Sequence, residues 1–172
     1  MNELQTTRLN LRKLDSGDAA FIVELLNDPD FIKNIADRGV RSNEDALQYL
    51  SKGPLQSYKL NEFGMYCVVK RDTLTRIGVC GLIKRPGLED VDIGFAFLPA
   101  FRKLGYALES SLAVVDQAKN RFKLKKLVAI TLPVNESSIQ ILEKIGMAFE
   151  RKVLMPGETE EVLLYAQDLT RR

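Results

Sequence analysis

Histidine is absent from the 172 residues. That absence excludes Ser-His-Asp and Cys-His nucleophilic catalysis, His-ligated zinc and an imidazole pH switch. Only two cysteines occur, Cys67 and Cys80. One possible disulfide is too few for a secreted scaffold, and two thiolates without imidazole do not complete a tetrahedral zinc site, so no metal is expected. Tryptophan is also absent. No apolar run approaches the roughly 18 residues of a membrane-spanning helix. Charge of either sign is not in excess: 25 basic and 23 acidic side chains give +2, which offers no general reason to bind nucleic acid or membrane. The opening Met1-Asn2-Glu3-Leu4-Gln5 lacks the pattern of a signal peptide, so a cytoplasmic protein is expected. The length fits one domain over residues 1–172, and 45% hydrophobic with 28% charged residues is ordinary for a globular chain. Any chemistry must come from carboxylates, hydroxyls, amines, thiols, backbone dipoles or a borrowed co-substrate.

What is present reads as alternating sheet and helix. Leu9, Leu11 and Leu14 alternate with polar residues, predicting one strand over Leu4 to Leu14. Phe21, Ile22, Leu25 and Leu26 have helical spacing, stopped by Asn27-Asp28-Pro29. Phe31, Ile32 and Ile35 suggest a short second helix. Ser42 to Asp45 resembles a capping box opening a third, with Leu47 and Leu50, which ends at Gly53-Pro54. Met65 to Lys70 and Ile77 to Ile83 flank a polar connection and predict a hairpin. Val91 to Leu98 is a further strand, ended by Pro99. A helix follows over Gly105 to Phe122, with Leu108, Leu112, Val115 and Phe122 on one stripe. Leu127 to Leu132 is a buried strand, and Asn135 caps a short helix closed by Gly146. Met147 to Met155 and Val162 to Leu169 form a second hairpin around Pro156-Gly157-Glu158. The expected fold is α/β, a largely antiparallel sheet with helices and one β-α-β passage.

Chemistry concentrates where the strand ending at Leu98 passes to the helix beginning after Gly105. The first turn of a helix carries backbone N–H groups with no internal partner, and the macrodipole makes that end positive. A pyrophosphate accepts several such bonds at once. Gly105 removes a Cβ that would block it, Arg102 and Lys103 add positive charge, and Ala107 permits close approach. Gly105 as a plain turn residue and Arg102 as a solvated charge fit the same stretch. Thirty residues on, Asn135-Glu136-Ser137-Ser138 and Glu143-Lys144-Ile145-Gly146 open and close another helix.

Taken together, Arg102-x-x-Gly105-x-Ala107 and the Asn135 to Gly146 segment resemble the GNAT N-acetyltransferase superfamily. The opening Thr7-Arg8-Leu9-Asn10-Leu11-Arg12 is similar to that of its Rim-type ribosomal-protein N-terminal acetyltransferase branch. Met147 in place of phenylalanine, Lys103 in place of glycine, and the lack of tryptophan depart from the branch pattern.

The resemblance implies a GNAT-type mixed, largely antiparallel sheet flanked by helices and splayed by a bulge at the acetyl-CoA site. It implies acetyl-CoA as co-substrate and direct transfer to a primary amine, with a protein N-terminal α-amine leading. A small amine as acceptor, or a CoA-binding sensor without efficient transfer, remain alternatives. Phe95, Ala96, Phe97 and Leu98 match the strand that pairs with pantetheine. Arg102, Lys103, Leu104, Gly105, Tyr106 and Ala107 match the pyrophosphate loop, and Asn135, Ser138 and Lys144 match the second segment. With no histidine, the base is a carboxylate: Asp92 first, then Glu158 with Glu160 and Glu161, though a strand-end aspartate usually just faces solvent and three close glutamates are more often a solvated turn or an electrostatic lure for a cationic substrate. Ser138 matches the serine that serves the leaving sulfur, and helix capping is its other role. Tyr106 either contacts phosphate or packs. Cys67 and Cys80 read as small buried hydrophobes. The partners implied are acetyl-CoA and an amine, with monomer and homodimer both open.

Overall fold

A computed structural model describes residues 2–171. β1 (Asn2–Gln5) and β2 (Leu9–Lys13) form an antiparallel hairpin, so the single strand expected over Leu4 to Leu14 is broken. Thr6 makes the break. Its backbone N–H donates to the Leu9 carbonyl at 2.9 Å, and its hydroxyl accepts from the Leu9 N–H at 3.1 Å. A threonine that bonds the backbone two or three residues away competes with continued strand.

Next come α1 (Ala19–Leu26), α2 (Pro29–Asn34), α3 (Asn43–Lys52) and α4 (Pro54–Asn61). Asp28 caps α2 by accepting from the Phe31 N–H at 3.1 Å, and Ser42 caps α3 by accepting from the Asp45 N–H at 3.1 Å. α3 ends at Gly53, as expected. A further helix, α4, follows directly, and Pro54 sits in its first turn, where its missing N–H has no helical partner to lose. Tyr58 of α4 accepts from the Leu14 N–H at 2.9 Å and donates to the Met65 carbonyl, which fastens this helix to both neighbouring strands.

The remaining elements are β3 (Met65–Lys70), β4 (Arg76–Ile83), β5 (Val91–Phe97), α5 (Tyr106–Asn120), β6 (Lys126–Thr131), α6 (Glu136–Lys144), β7 (Ala148–Val153) and β8 (Val162–Asp168). All eight strands join one sheet in the order β1-β2-β3-β4-β5-β6-β8-β7. Every pairing is antiparallel except β5 with β6, which α5 connects. That is the expected mixed sheet with its single β-α-β passage.

Both faces of the sheet are covered. On one side Tyr66, Val68, Ile77 and Leu82 pack with Val114 and Ala118 of α5 and Leu142 of α6. On the other, Cys67, Val69 and Val79 pack with Ile22, Leu25 and Leu50 of α1 and α3. Successive residues of β3 feed opposite layers, as the alternation of a strand requires. The buried face of α5 is rotated from the expected stripe: Tyr106, Ser110, Ser111, Val114, Gln117 and Ala118 are buried, whereas Leu112 is exposed. Ser110 and Gln117 are tolerated there because Ser110 donates to the Tyr106 carbonyl at 2.8 Å and Gln117 accepts from the Tyr66 hydroxyl at 3.1 Å. Both cysteines are buried and free, as expected.

Candidate active site

The parallel pair β5–β6 is short. Val91 stands opposite Leu127 and Asp92 opposite Val128, after which the strands part. The ladder of β5 with β4 meanwhile runs unbroken from Gly78 opposite Phe97 to Ile83 opposite Asp92. The splay is therefore present, and it arises as divergence of β5 from β6. The parted strands, the start of α5, the start of α6 and the α1–α3 layer enclose a cleft of about 820 Å³.

At one end lies the loop from β5 to α5. Pro99–Phe101 makes a single 3-10 turn, Lys103 holds φ +61°, and Gly105 holds φ +85° as the residue preceding α5. No side chain caps α5. Its first-turn N–H groups thus have no side-chain acceptor, and glycine is the residue that adopts the required left-handed conformation without strain. Lys103 takes the same region at a cost of about 1 kcal/mol.

Arg102 was expected to carry free charge to this mouth. The structure commits it elsewhere. Its Nε donates to the Phe97 carbonyl at 2.9 Å, one Nη to Asp30 at 2.7 Å, and the other to Asp28, which is itself the α2 cap. Arg102 borders the cleft as a clamp between the loop and α2. The cations bordering the cleft without an acidic partner among the described residues are Arg38, Lys103 and Lys144, of which Lys103 belongs to this loop. Phe95, Ala96, Phe97, Gly105, Ala107, Asn135 and Ser138 also line the cleft. Leu98, Leu104 and Tyr106 do not. Leu98 turns into the α1–α3 layer, Leu104 is exposed, and Tyr106 is buried with the Arg8 guanidinium 4.4 Å above its ring. Arg8 also donates to the Leu104 carbonyl at 3.0 Å and to Glu109 at 2.7 Å, and so fixes the first turn of α5.

At the start of α6, Asn135 is the cap, accepting from the Ser138 N–H at 3.3 Å. Ser138 itself borders the cleft.

Asp92 lies at the base of the parting, five residues or about 17 Å along β5 from Phe97. It borders the cleft, and its side chain is 2% exposed. One carboxylate oxygen accepts from Arg85 Nε at 2.8 Å, and the other has no hydrogen-bond partner among the described residues. Burial pushes this carboxyl up to about 6, against the pull of the Arg85 charge in the other direction. A buried carboxyl that borders a cleft and keeps one oxygen unpartnered has the raised proton affinity that acid–base chemistry requires. Glu158, Glu160 and Glu161 are exposed in the β7–β8 turn and do not line the cleft, although Val162 beside them does.

Three residues were not singled out from sequence. Arg85 sits in the β4–β5 connection, Tyr49 on α3, and Arg38 between α2 and α3, and all border the cleft. No spacing rule ties any of them to Asp92. Among the described residues no group of three or more His, Cys, Asp or Glu is placed to hold a metal ion, and no helix is long and apolar enough to cross a membrane.

Residues 8–148 match the family model described as the acetyltransferase (GNAT) domain. An uncharacterised N-acetyltransferase of Bacillus subtilis, YnaD, is 29% identical over 147 residues, which is 86% of this chain and 83% of that protein. A GNAT-family acetyltransferase structure from Bacillus anthracis is 25% identical with a TM-score of 0.80, covering 98% of this chain and 99% of that one. RimL, a ribosomal-protein α-N-acetyltransferase solved in complex with coenzyme A, shares the fold at 16% identity with a TM-score of 0.83 over 98% of both chains. The parted strands, the uncapped helix start behind a glycine, and the family match over residues 8–148 agree: this chain belongs to the GNAT acetyltransferases.

Proposed function

We propose that the protein transfers an acetyl group from acetyl-CoA directly to the primary amine of a protein N-terminus, with Asp92 as the proton acceptor. The observation that carries the reading is Asp92 itself: buried, bordering the cleft, with one oxygen unpartnered and a carboxyl poised at about 6. Bound acetyl-CoA supplies the activated acetyl thioester. The residues present fit it. The uncapped N–H groups of α5 suit a pyrophosphate, no Cβ stands at Gly105, and Lys103 and Lys144 contribute charge. The parted edge of β5 over Phe95 to Phe97 offers backbone groups to the pantetheine amides. Ser138 offers its hydroxyl to the leaving sulfur, while Asn135 holds the helix that carries it. Asp92 takes the proton that the attacking ammonium must lose.

The Rim-like opening around Thr7 to Arg12 and the fold shared with RimL support a protein N-terminus as acceptor. The lack of tryptophan supports the second reading, a small amine, because the cleft walls then differ in shape from those of the branch. A mass-shift screen with acetyl-CoA, set against N-terminal peptides and small amines, tests both. Transfer to a peptide α-amine that Asp92→Asn loses supports the leading reading, and transfer confined to small amines selects the second. Calorimetric binding of acetyl-CoA with no transfer to any amine overturns both in favour of a sensor.

A further inference from the structure

The acceptor end of the cleft carries the wrong charge for a cationic substrate. Arg38, Arg85 and Tyr49 converge there from three separate segments. Burial raises the Tyr49 phenol above its ordinary value, and the positive charges of Arg38 and Arg85, which border the same cleft, oppose that rise. Arg38 is exposed and has no acidic partner among the described residues. Arg85 spends only Nε on Asp92, which leaves its Nη donors without a protein acceptor among the described residues. Two carboxylates border the whole cleft: Asp30, neutralised by Arg102 at 2.7 Å, and Asp92. The acidic turn at Glu158 to Glu161, expected to draw a basic substrate, lies outside it.

From this arrangement we infer that the acetylated amine carries an anionic group of its own, a carboxylate or phosphoryl a few bonds from the nitrogen, which Arg85, Arg38 and Tyr49 hold. The inference rests on the transferase reading above. Its geometry is set by one guanidinium. An amine delivered beside Asp92 lies a few bonds from an anion on the Nη donors of Arg85, whose Nε binds the Asp92 carboxylate at 2.8 Å. Guanidinium donors are laid out to match a carboxylate or phosphoryl in this way. A polyamine would instead bring a second ammonium against two guanidiniums, with no spare carboxylate to receive it.

The test compares matched acceptors with the intact protein and saturating acetyl-CoA. One arm sets free α-amino acids against their carboxamides. The other sets peptides with an acidic second residue against the same peptides with its amide or a lysine there, and spermidine is included as the polycation. The expected result is a preference of about tenfold or more in kcat/KM for the acidic member, mostly in KM, in the arm that supplies the substrate. Arg38→Glu, an exposed position that folding tolerates, collapses that ratio toward one or inverts it. Equal or better turnover of neutral or cationic acceptors, or a ratio untouched by Arg38→Glu, overturns the inference and leaves the transferase reading standing. If no amine is acetylated, that reading fails, and calorimetry of the CoA-saturated protein decides the anion site: tighter binding of an N-acetyl amino acid than of its amide sustains it, and equal binding overturns it.

Discussion

Replacing Asp92 by asparagine removes the proposed proton acceptor with almost no change of shape, and the pH dependence of the two proteins then separates mechanism from packing. With its carboxyl at about 6, Asp92 is about nine-tenths ionised at pH 7 and about one-tenth at pH 5. An α-amine of the acceptor titrates near 8. If Asp92 takes the proton from an ammonium, kcat/KM follows a bell between those two values, falling about fivefold from pH 6 to pH 5. If solution supplies the neutral amine unaided, kcat/KM climbs about tenfold per pH unit until near 8 and then levels, with no limb at 6. Asp92→Asn is expected to lose on the order of 10²-fold in kcat/KM and to exchange the bell for the monotonic rise. Arg85→Met moves the acid limb of the wild-type bell upward, because the Arg85 charge is what holds the carboxyl down. Initial rates at fixed ionic strength from about pH 5 to pH 9 are sufficient. A loss under threefold with an unchanged profile refutes Asp92 as the base.

Stability gives a second readout of the same group, independent of turnover. The folded carboxyl titrates at about 6 against 3.8 as its ordinary value, so the folded protein binds this proton more tightly than the unfolded chain does. Its contribution is therefore favourable at low pH and is lost as pH rises from about 4 to about 6, by up to about 3 kcal/mol. The melting temperature of Asp92→Asn relative to wild type should rise across that window. A flat difference means the carboxyl is not shifted in the folded state.

Three further outcomes follow from the loop and the core. Gly105→Asp places a side chain at φ +85° and a negative charge against the helix start, so acetyl-CoA affinity by calorimetry should drop tenfold or more, by an estimate of about 1.4 kcal/mol or above. Gly105→Ala separates steric effects from charge, since its Cβ adds the conformational cost of about 1 kcal/mol and a 3.1 Å approach to an Arg8 Nη but no charge; equal affinity of Gly105→Asp and wild type would mean the phosphates bind elsewhere. Asp28→Asn weakens both the α2 cap and the Arg102 clamp, and a loss of about 2 kcal/mol should lower the melting temperature by roughly 4–8 °C, read by calorimetry, with an unchanged value refuting the clamp. Burial pushes the Cys67 thiol up to about 12 and the Cys80 thiol up to about 11, so iodoacetamide should leave native activity intact and label both only after denaturation; rapid native labelling would contradict their burial.

Local pattern carried the sequence reading where structure is local. The β3–β4 hairpin, β5, the span of α5 and the Asn135 cap all rest on residues within a few positions of one another. The reading failed where a distant partner decides. Thr6 breaks the first strand because its hydroxyl can reach the Leu9 backbone, and alternation alone does not register that. α4 carries only a weak apolar face, and its hold on the fold is the Tyr58 hydroxyl bonded to Leu14 and Met65. Arg102 looked like free charge in the loop motif, but Asp28 and Asp30 claim it from more than 70 residues away. Arg85 and Arg38 belong to connections with no motif, and only the fold brings Arg85 to Asp92 and Arg38 to the same cleft.

The missing histidine explains why that juxtaposition matters. An imidazole brings a proton affinity near neutrality wherever it is exposed, whereas a carboxyl near 4 is a poor acceptor for an ammonium. In a chain without imidazole a raised carboxyl is one substitute, and burial is the means that needs no further residue. The sheet provides the burial where β5 and β6 are still paired, at Asp92 opposite Val128, one step before they part. A carboxyl further along β5 would face the open cleft and stay near 4; one further back would be closed off from the amine. Arg85 then limits how far the value climbs, so that Asp92 remains mostly ionised at neutral pH while still able to hold a proton. The same divergence that opens an edge for the thioester thus sets the position at which a carboxylate can replace imidazole. This predicts that Asp92→Glu, whose extra methylene carries the carboxylate away from Arg85 and toward the open cleft, lowers the acid limb of the pH profile toward 4–5 while retaining more activity than Asp92→Asn. An acid limb that stays near 6 in Asp92→Glu would show that burial at this one step of the sheet is not what tunes the base.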